Sequence, residues 1–130
     1  MAFQYAAKII CGLSKSEGVI AHGVYETVVN IHNPYKETLT IKYKAAVAGD
    51  GGDGSISGFT SVKIKPDAAQ FYSCKAFHKI SGVPATTMID GFFVIESPQS
   101  LDVVAVYTTN DTAGNGVPAI AVERVFERTV

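Results

Sequence analysis

The stretch from Gly91 to Tyr107, GFFVIESPQSLDVVAVY, decides how the chain is read. It predicts two apolar β-strands joined by a tight turn at Ser97-Pro98-Gln99-Ser100, because β-branched and aromatic residues favour pleated backbone and Pro favours a turn. Phe92, Val94, Val104 and Val106 fall on one set of pleat faces, and Phe93, Ile95, Val103, Ala105 and Tyr107 on the other. Both sets are apolar. A small all-β domain buries one face of such a pair in its own core, so the second face is expected to meet a partner.

Outward from that hairpin, period-2 alternation recurs. Phe3, Tyr5, Ala7, Ile9 and Cys11 alternate with Gln4, Ala6, Lys8 and Ile10, predicting a first strand that ends at Gly12. In Val24 to His32, Tyr25, Thr27, Val29 and Ile31 share one face, and Asn33-Pro34 stops the strand because Pro has no N–H to donate. Leu39, Ile41, Tyr43, Ala45 and Val47 then face away from Thr40, Lys42 and Lys44, the cleanest alternation in the chain. The segment from Gly49 to Gly58, GDGGDGSISG, reads as a flexible loop. Strands are expected at Phe59 to Lys65, at Ala69 to Cys74 and at Ala119 to Phe126, while Lys75 to Pro84 reads as mostly irregular, with room for one helical turn. Polar, glycine-bearing loops are expected at Leu13 to Gly23 and Asn110 to Pro118. Roughly eight short strands separated by Gly, Pro and Asn turns predict an all-β, two-sheet antiparallel β-sandwich, with a small β-barrel as the alternative.

The 130 residues fit a single domain spanning 1–130. Hydrophobic residues make up 47% and charged residues only 18%, a balance that favours burial beyond one chain's own core and hence a homo-oligomer. A net charge of −1 supplies no basic field, so nucleic acid is not an expected partner. No apolar run reaches transmembrane length, and the N-terminal sequence MAFQYAAKIICG lacks a secretory pattern, so a cytoplasmic protein without membrane insertion is expected. That setting predicts reduced thiols at Cys11 and Cys74. Asn110-Asp111-Thr112 matches a glycosylation sequon, which has no use in that compartment.

The candidate chemical motifs lack the context they need. Gly49 to Gly54 satisfies G-x-G-x-x-G, yet a strand and not a helix is expected after it, and Asp50 and Asp53 would repel a pyrophosphate. The same aspartates lack the spacing and distal glutamate of a calcium loop. Cys74 and His78 make one close pair where structural zinc uses two, with Cys11, His22 and His32 as distant additions. A Cys/His nucleophile is the weaker alternative, and Glu26, Glu96, Asp102 and Glu123 lie on different expected strands. Lys42, Lys44, Lys63 and Lys65 form a potential basic stripe, though lysines on edge strands also block unwanted pairing. No catalytic residue, cofactor or metal site is therefore assigned.

The order of segments YETVVNIHNPYKETLTIKYKA (Tyr25 to Ala45), VKIKPDAAQFYSCKAF (Val62 to Phe77) and GFFVIESPQSLDVVAVYTT (Gly91 to Thr109) resembles a group of small uncharacterised bacterial proteins. It is more distantly similar to the sensory rhodopsin transducer family. The resemblance implies a soluble cytoplasmic β-sandwich that forms homo-oligomers and acts by binding. The expected function is thus that of a non-enzymatic, self-associating binding, adaptor or structural unit, whose partner is itself or another protein. Phe92, Val94, Val104 and Val106 are the expected interface. The alternative is a small-ligand or carbohydrate-binding module using His32, Asn33, Tyr35 and Asn110 near loop ends, with His22 also available.

Overall fold

The computed structural model describes residues 2–15, 20–111 and 119–130; part of the loop expected before Gly23, most of the one expected after Asn110 and the sequon residue Thr112 lie outside them. The fold is all-β in class, and the described residues form ten strands in one connected antiparallel sheet. In order they are β1 (Phe3–Ser14), β2 (Gly23–His32), β3 (Leu39–Ala48), β4 (Asp53–Ile56), β5 (Thr60–Ile64), β6 (Ala69–Tyr72), β7 (Ile89–Ser97), β8 (Asp102–Asn110), β9 (Ala119–Arg124) and β10 (Glu127–Thr129). Helix α1 (Cys74–Ser81) lies between β6 and β7. The main path runs β4-β3-β7-β1-β2-β8-β9, with β5 on β3, β6 on β2 and β10 on β1.

Strand β1 joins two groups of strands. Phe3 to Cys11 pair with β7, whereas Gly12 to Ser14 pair with β2. The change of partner occurs at Gly12, whose φ of 118° is disfavoured for any residue with a Cβ. Thr27 of β2 is fully buried and reinforces the junction, donating its hydroxyl to the Ile10 carbonyl and accepting from the Ile10 N–H, both at 2.9 Å. Tyr107 of β8 donates to the Lys8 carbonyl at 2.8 Å. Its phenol is pushed up to about 12, mainly by burial.

The inner faces of both groups meet in one core. Tyr5, Ile9, Ile41, Phe93 and Ile95 come from one group, Val29, Ile31, Val103 and Ala105 from the other, and Phe77 from α1. The alternations expected in β1, β2 and β3 are the burial alternations observed, because each strand has one face on this core.

The central stretch departs from expectation. β7 and β8 are both strands, but they are not a hairpin: β7 pairs with β1 and β3, while β8 pairs with β2 and β9. The link from Pro98 to Leu101 therefore carries the chain from one group to the other. Tyr5 holds that link: its buried hydroxyl accepts the Leu101 N–H at 2.6 Å and donates to Glu127 at 2.8 Å. Desolvation raises the Tyr5 phenol's pKa, so it remains a neutral hydrogen-bonding group.

Three further expectations are corrected. The glycine-rich segment contains β4, because Gly54 lies so close to the Val47 carbonyl, 2.1 Å from where a Cβ would stand, that this pairing is open only to glycine. The strand predicted to reach Cys74 stops at Tyr72, and an eight-residue helix follows, ended by Gly82 with φ 75° in the left-handed conformation. The final strand expected to reach Phe126 stops at Arg124 as β9, and a further strand that was not expected, β10, returns to β1.

Cys11 and Cys74 are joined by a disulfide, contrary to the expected free thiols. The bond ties the junction strand to the start of α1, where Cys74 Sγ also accepts the Thr27 N–H at 3.3 Å. Both strand partners and the helix start converge there, which brings cysteines 63 positions apart within bonding reach. On chain-entropy grounds a loop of that length stabilises by about 4 kcal/mol. Replacing both cysteines by serine should lower the urea midpoint and raise the m-value, because the uncrosslinked unfolded chain exposes more surface, and an unchanged midpoint would show the cross-link to be energetically idle.

Candidate interaction face

Each strand group turns its other face away from the core. On the β3–β7–β1 group, register places Ala46, Phe92 and Lys8 in one row and Lys44, Val94 and Ala6 in the next. Val94 is only 7% exposed, since neighbouring side chains cover a central strand from both flanks, whereas Phe92 is 44% exposed. The following row is polar: Arg128 Nε donates to Gln4 at 2.7 Å, Gln4 Nε2 donates to Glu96 at 2.9 Å, and Lys42 stands 3.6 Å from Glu96. Lys8 pairs with Asp90 beside Phe92.

The β6–β2–β8–β9 group has a more apolar outer face. Val28, Val106 and Val122 form one row, Glu26, Thr108 and Ile120 a second, and Phe71, Asn30, Val104 and Arg124 a third. Phe71, Ile120 and Val122 are 69%, 65% and 67% exposed, and Val28, Val104 and Val106 are half-buried between them. Strand β9 is exposed along both faces from Ile120 to Arg124, and β8 is its strand partner among the described residues. It is an overhanging edge. The four expected interface residues are thus divided, Phe92 and Val94 on one outer face and Val104 and Val106 on the other, because β7 and β8 belong to different groups. Ile120, Val122 and Phe71 were absent from that expectation; Phe71 and Val122 joined the face through pairings that sequence alternation cannot reveal.

The expected ligand-binding residues also divide. His32, Asn33 and Tyr35 lie together at one end of β2. Asn110 sits opposite Val24 at the other end, roughly 26 Å away at the rise of an extended strand. The Asn33 side chain is fully buried, with its amide nitrogen 2.8, 3.0 and 3.1 Å from the Glu37, Ile64 and Lys65 carbonyls, and its oxygen accepts the Tyr35 N–H at 2.9 Å. Those bonds shape the turn after β2. His32 bridges two carboxylates, with Nδ1 2.7 Å from Asp102 and Nε2 2.8 Å from Asp67. Asp67 has a φ of 55°, which aims the β5–β6 turn at the imidazole.

The motifs with candidate chemistry are engaged elsewhere. Cys74 is in the disulfide and the His78 ring bonds the Val83 carbonyl at 3.0 Å, so these two do not form a thiolate–imidazole pair. Among the described residues no group of three or more His, Cys, Asp or Glu side chains is placed to hold a metal ion. Of the potential basic stripe, Lys42 and Lys44 stand over the Phe59 ring at 4.6 and 4.7 Å.

A solved structure described as Thermotoga maritima 1070 has the same fold, with a TM-score of 0.62 and 14% identity over 96% of this chain and 91% of that one. No protein-family model matches the chain, and no curated protein matches it. No helix is long and apolar enough to cross a membrane among the described residues.

Hydrogen bonds to Asp102 and then Asp67 hold the His32 pKa above its usual 6.5. A raised folded value stabilises fully below the unfolded pKa and ceases to do so as pH rises through the folded one. The difference in urea midpoint between the native chain and a His32→Gln variant should accordingly be larger at about pH 5.5 than at about pH 9. A difference independent of pH would mean that the bridge does not depend on the imidazolium.

Proposed function

We propose that the chain is a non-enzymatic β-sandwich unit that self-associates and serves as a binding, adaptor or structural element. The reading takes the two strand groups as the two layers of the sandwich, with β1 passing from one to the other. One observation carries it: the β6–β2–β8–β9 face presents Phe71, Val28, Val104, Val106, Ile120 and Val122 together, beside an edge strand exposed on both sides. Contiguous apolar surface of that kind marks interaction sites, and an unblocked edge is a template for pairing. A second copy supplies a matching surface by symmetry. We extend the proposal to a distant kinship with sensory rhodopsin transducers, on the resemblance in segment order, which would imply the same mode of action.

A cytoplasmic location also remains part of the proposal. The disulfide attaches a condition, since such bonds persist where thiols are oxidised and are uncommon in reducing compartments.

Size-exclusion chromatography with light scattering at micromolar concentration should give an oligomer for the native chain. Combining Ile120→Lys with Val122→Lys should give a monomer with unchanged circular dichroism, because both side chains are exposed and surface changes cost little stability. A monomeric native chain would refute self-association.

A further inference from the structure

A surface recess lies beside α1. Tyr43 from β3, Thr60 from β5 and Tyr72 from β6 face Ala76, Lys79 and Ile80 from α1 around a recess of about 390 Å³. That volume lies within the range of small-molecule sites, roughly 300–1,000 Å³. The Tyr43 and Tyr72 rings are 5.0 Å apart, and Phe93 supports both from the core at 5.3 and 5.2 Å. Phe77 of α1 packs on Phe93 at 5.0 Å, so the aromatic wall is fixed from behind and from the helix side.

The polar groups of the lining share one character. The Tyr43 phenol, the Thr60 hydroxyl and the Lys79 ammonium can donate hydrogen bonds, and among the described residues no carboxylate lines the recess. Burial, and next the neighbouring Tyr43, push the Tyr72 phenol up to about 12, so it stays protonated, and it donates to Gln70 at 2.8 Å. A wall of aromatic rings favours a flat ring, and a rim of donors with one cation favours an anionic acceptor. We propose that this recess binds a small monoanion that carries a flat ring, an aromatic carboxylate in the simplest form.

The site lies beside α1 and is separate from the outer face proposed for self-association. Neither proposal depends on the other. In the bound state the ring lies against Tyr43 and Tyr72, and the carboxylate accepts from Lys79 and a hydroxyl of the rim.

Amide chemical-shift titration with benzoate, phenylacetate and indole-3-acetate tests this, with phenylacetamide as the neutral counterpart and methyl β-glucoside as a polar, non-aromatic ring. At least one of the acids should give saturable shifts confined to residues around Tyr43, Tyr72 and Lys79, and phenylacetamide should bind more weakly than phenylacetate. Lys79→Gln should weaken the acid about tenfold, the order expected for one charge-assisted contact, and its exposed position leaves the fold intact. Tyr72→Phe, which retains the ring, should weaken binding less than Tyr72→Ala. Saturation by none of the three acids, equal binding of acid and amide, an unaffected Lys79→Gln variant or tighter binding of the glucoside would each overturn the proposal.

Discussion

The fold depends on one strand having two sets of partners. β1 is long enough to pair with β7 through Cys11 and with β2 from Gly12 onward, and among the described residues the two strand groups have no other shared strand. Backbone hydrogen bonds alone would make such a junction a hinge. Instead it is held by the Thr27 hydroxyl on both backbone groups of Ile10, by the Tyr107 bond to Lys8 and by the disulfide to α1. Each attaches β1 to a different element, so displacement at the junction would break contacts in several directions at once. Buried polar groups used this way add direction to a core whose apolar contacts have little of it.

Most strands could be read from the sequence because the core is one-sided to each of them. Tyr5 to Cys11 and Leu39 to Lys42 alternate so regularly that their burial follows from period alone. The partner of each strand was less legible. β7 and β8 follow one another closely, and adjacent apolar strands joined by a Pro-containing link resemble a hairpin; what separates them is Tyr5, whose hydroxyl captures Leu101 from far away in sequence. Helix α1 was hidden for a different reason: it is amphipathic, but its eight residues span only about two turns, too few for a helical period to stand out. The His32 bridge was equally hidden, with Asp67 and Asp102 brought to it by turn geometry and strand register.

Apolar residues facing outward do not all have the same meaning. Val94 lies between two long strands and is nearly covered by lateral neighbours, so its hydrophobicity is satisfied within the chain. Val122 is equally apolar but lies on an edge strand, with β8 on one flank as its strand neighbour among the described residues, and is 67% exposed. The difference is one of position in the strand order. A central strand can be apolar on both faces without a partner, whereas an edge strand of the same composition exposes what it carries. This is why the modest AIAVER of β9 leaves more of its apolar side chains exposed than the doubly apolar stretch from Gly91 to Tyr107.

The pairing of β1 with β7 sets Phe3 against Ser97 and Cys11 against Ile89, contacts that span most of the chain. Such non-local closure carries its entropy cost before its reward, which places the protein among slow-folding topologies. During synthesis β1 emerges long before its main partner exists, while β2 and β3 are already available as alternative neighbours. The change of partner at Gly12 confines the pairing of β1 with β2 to Gly12–Ser14, so Phe3 to Cys11 gain their strand partner only once β7 has been made.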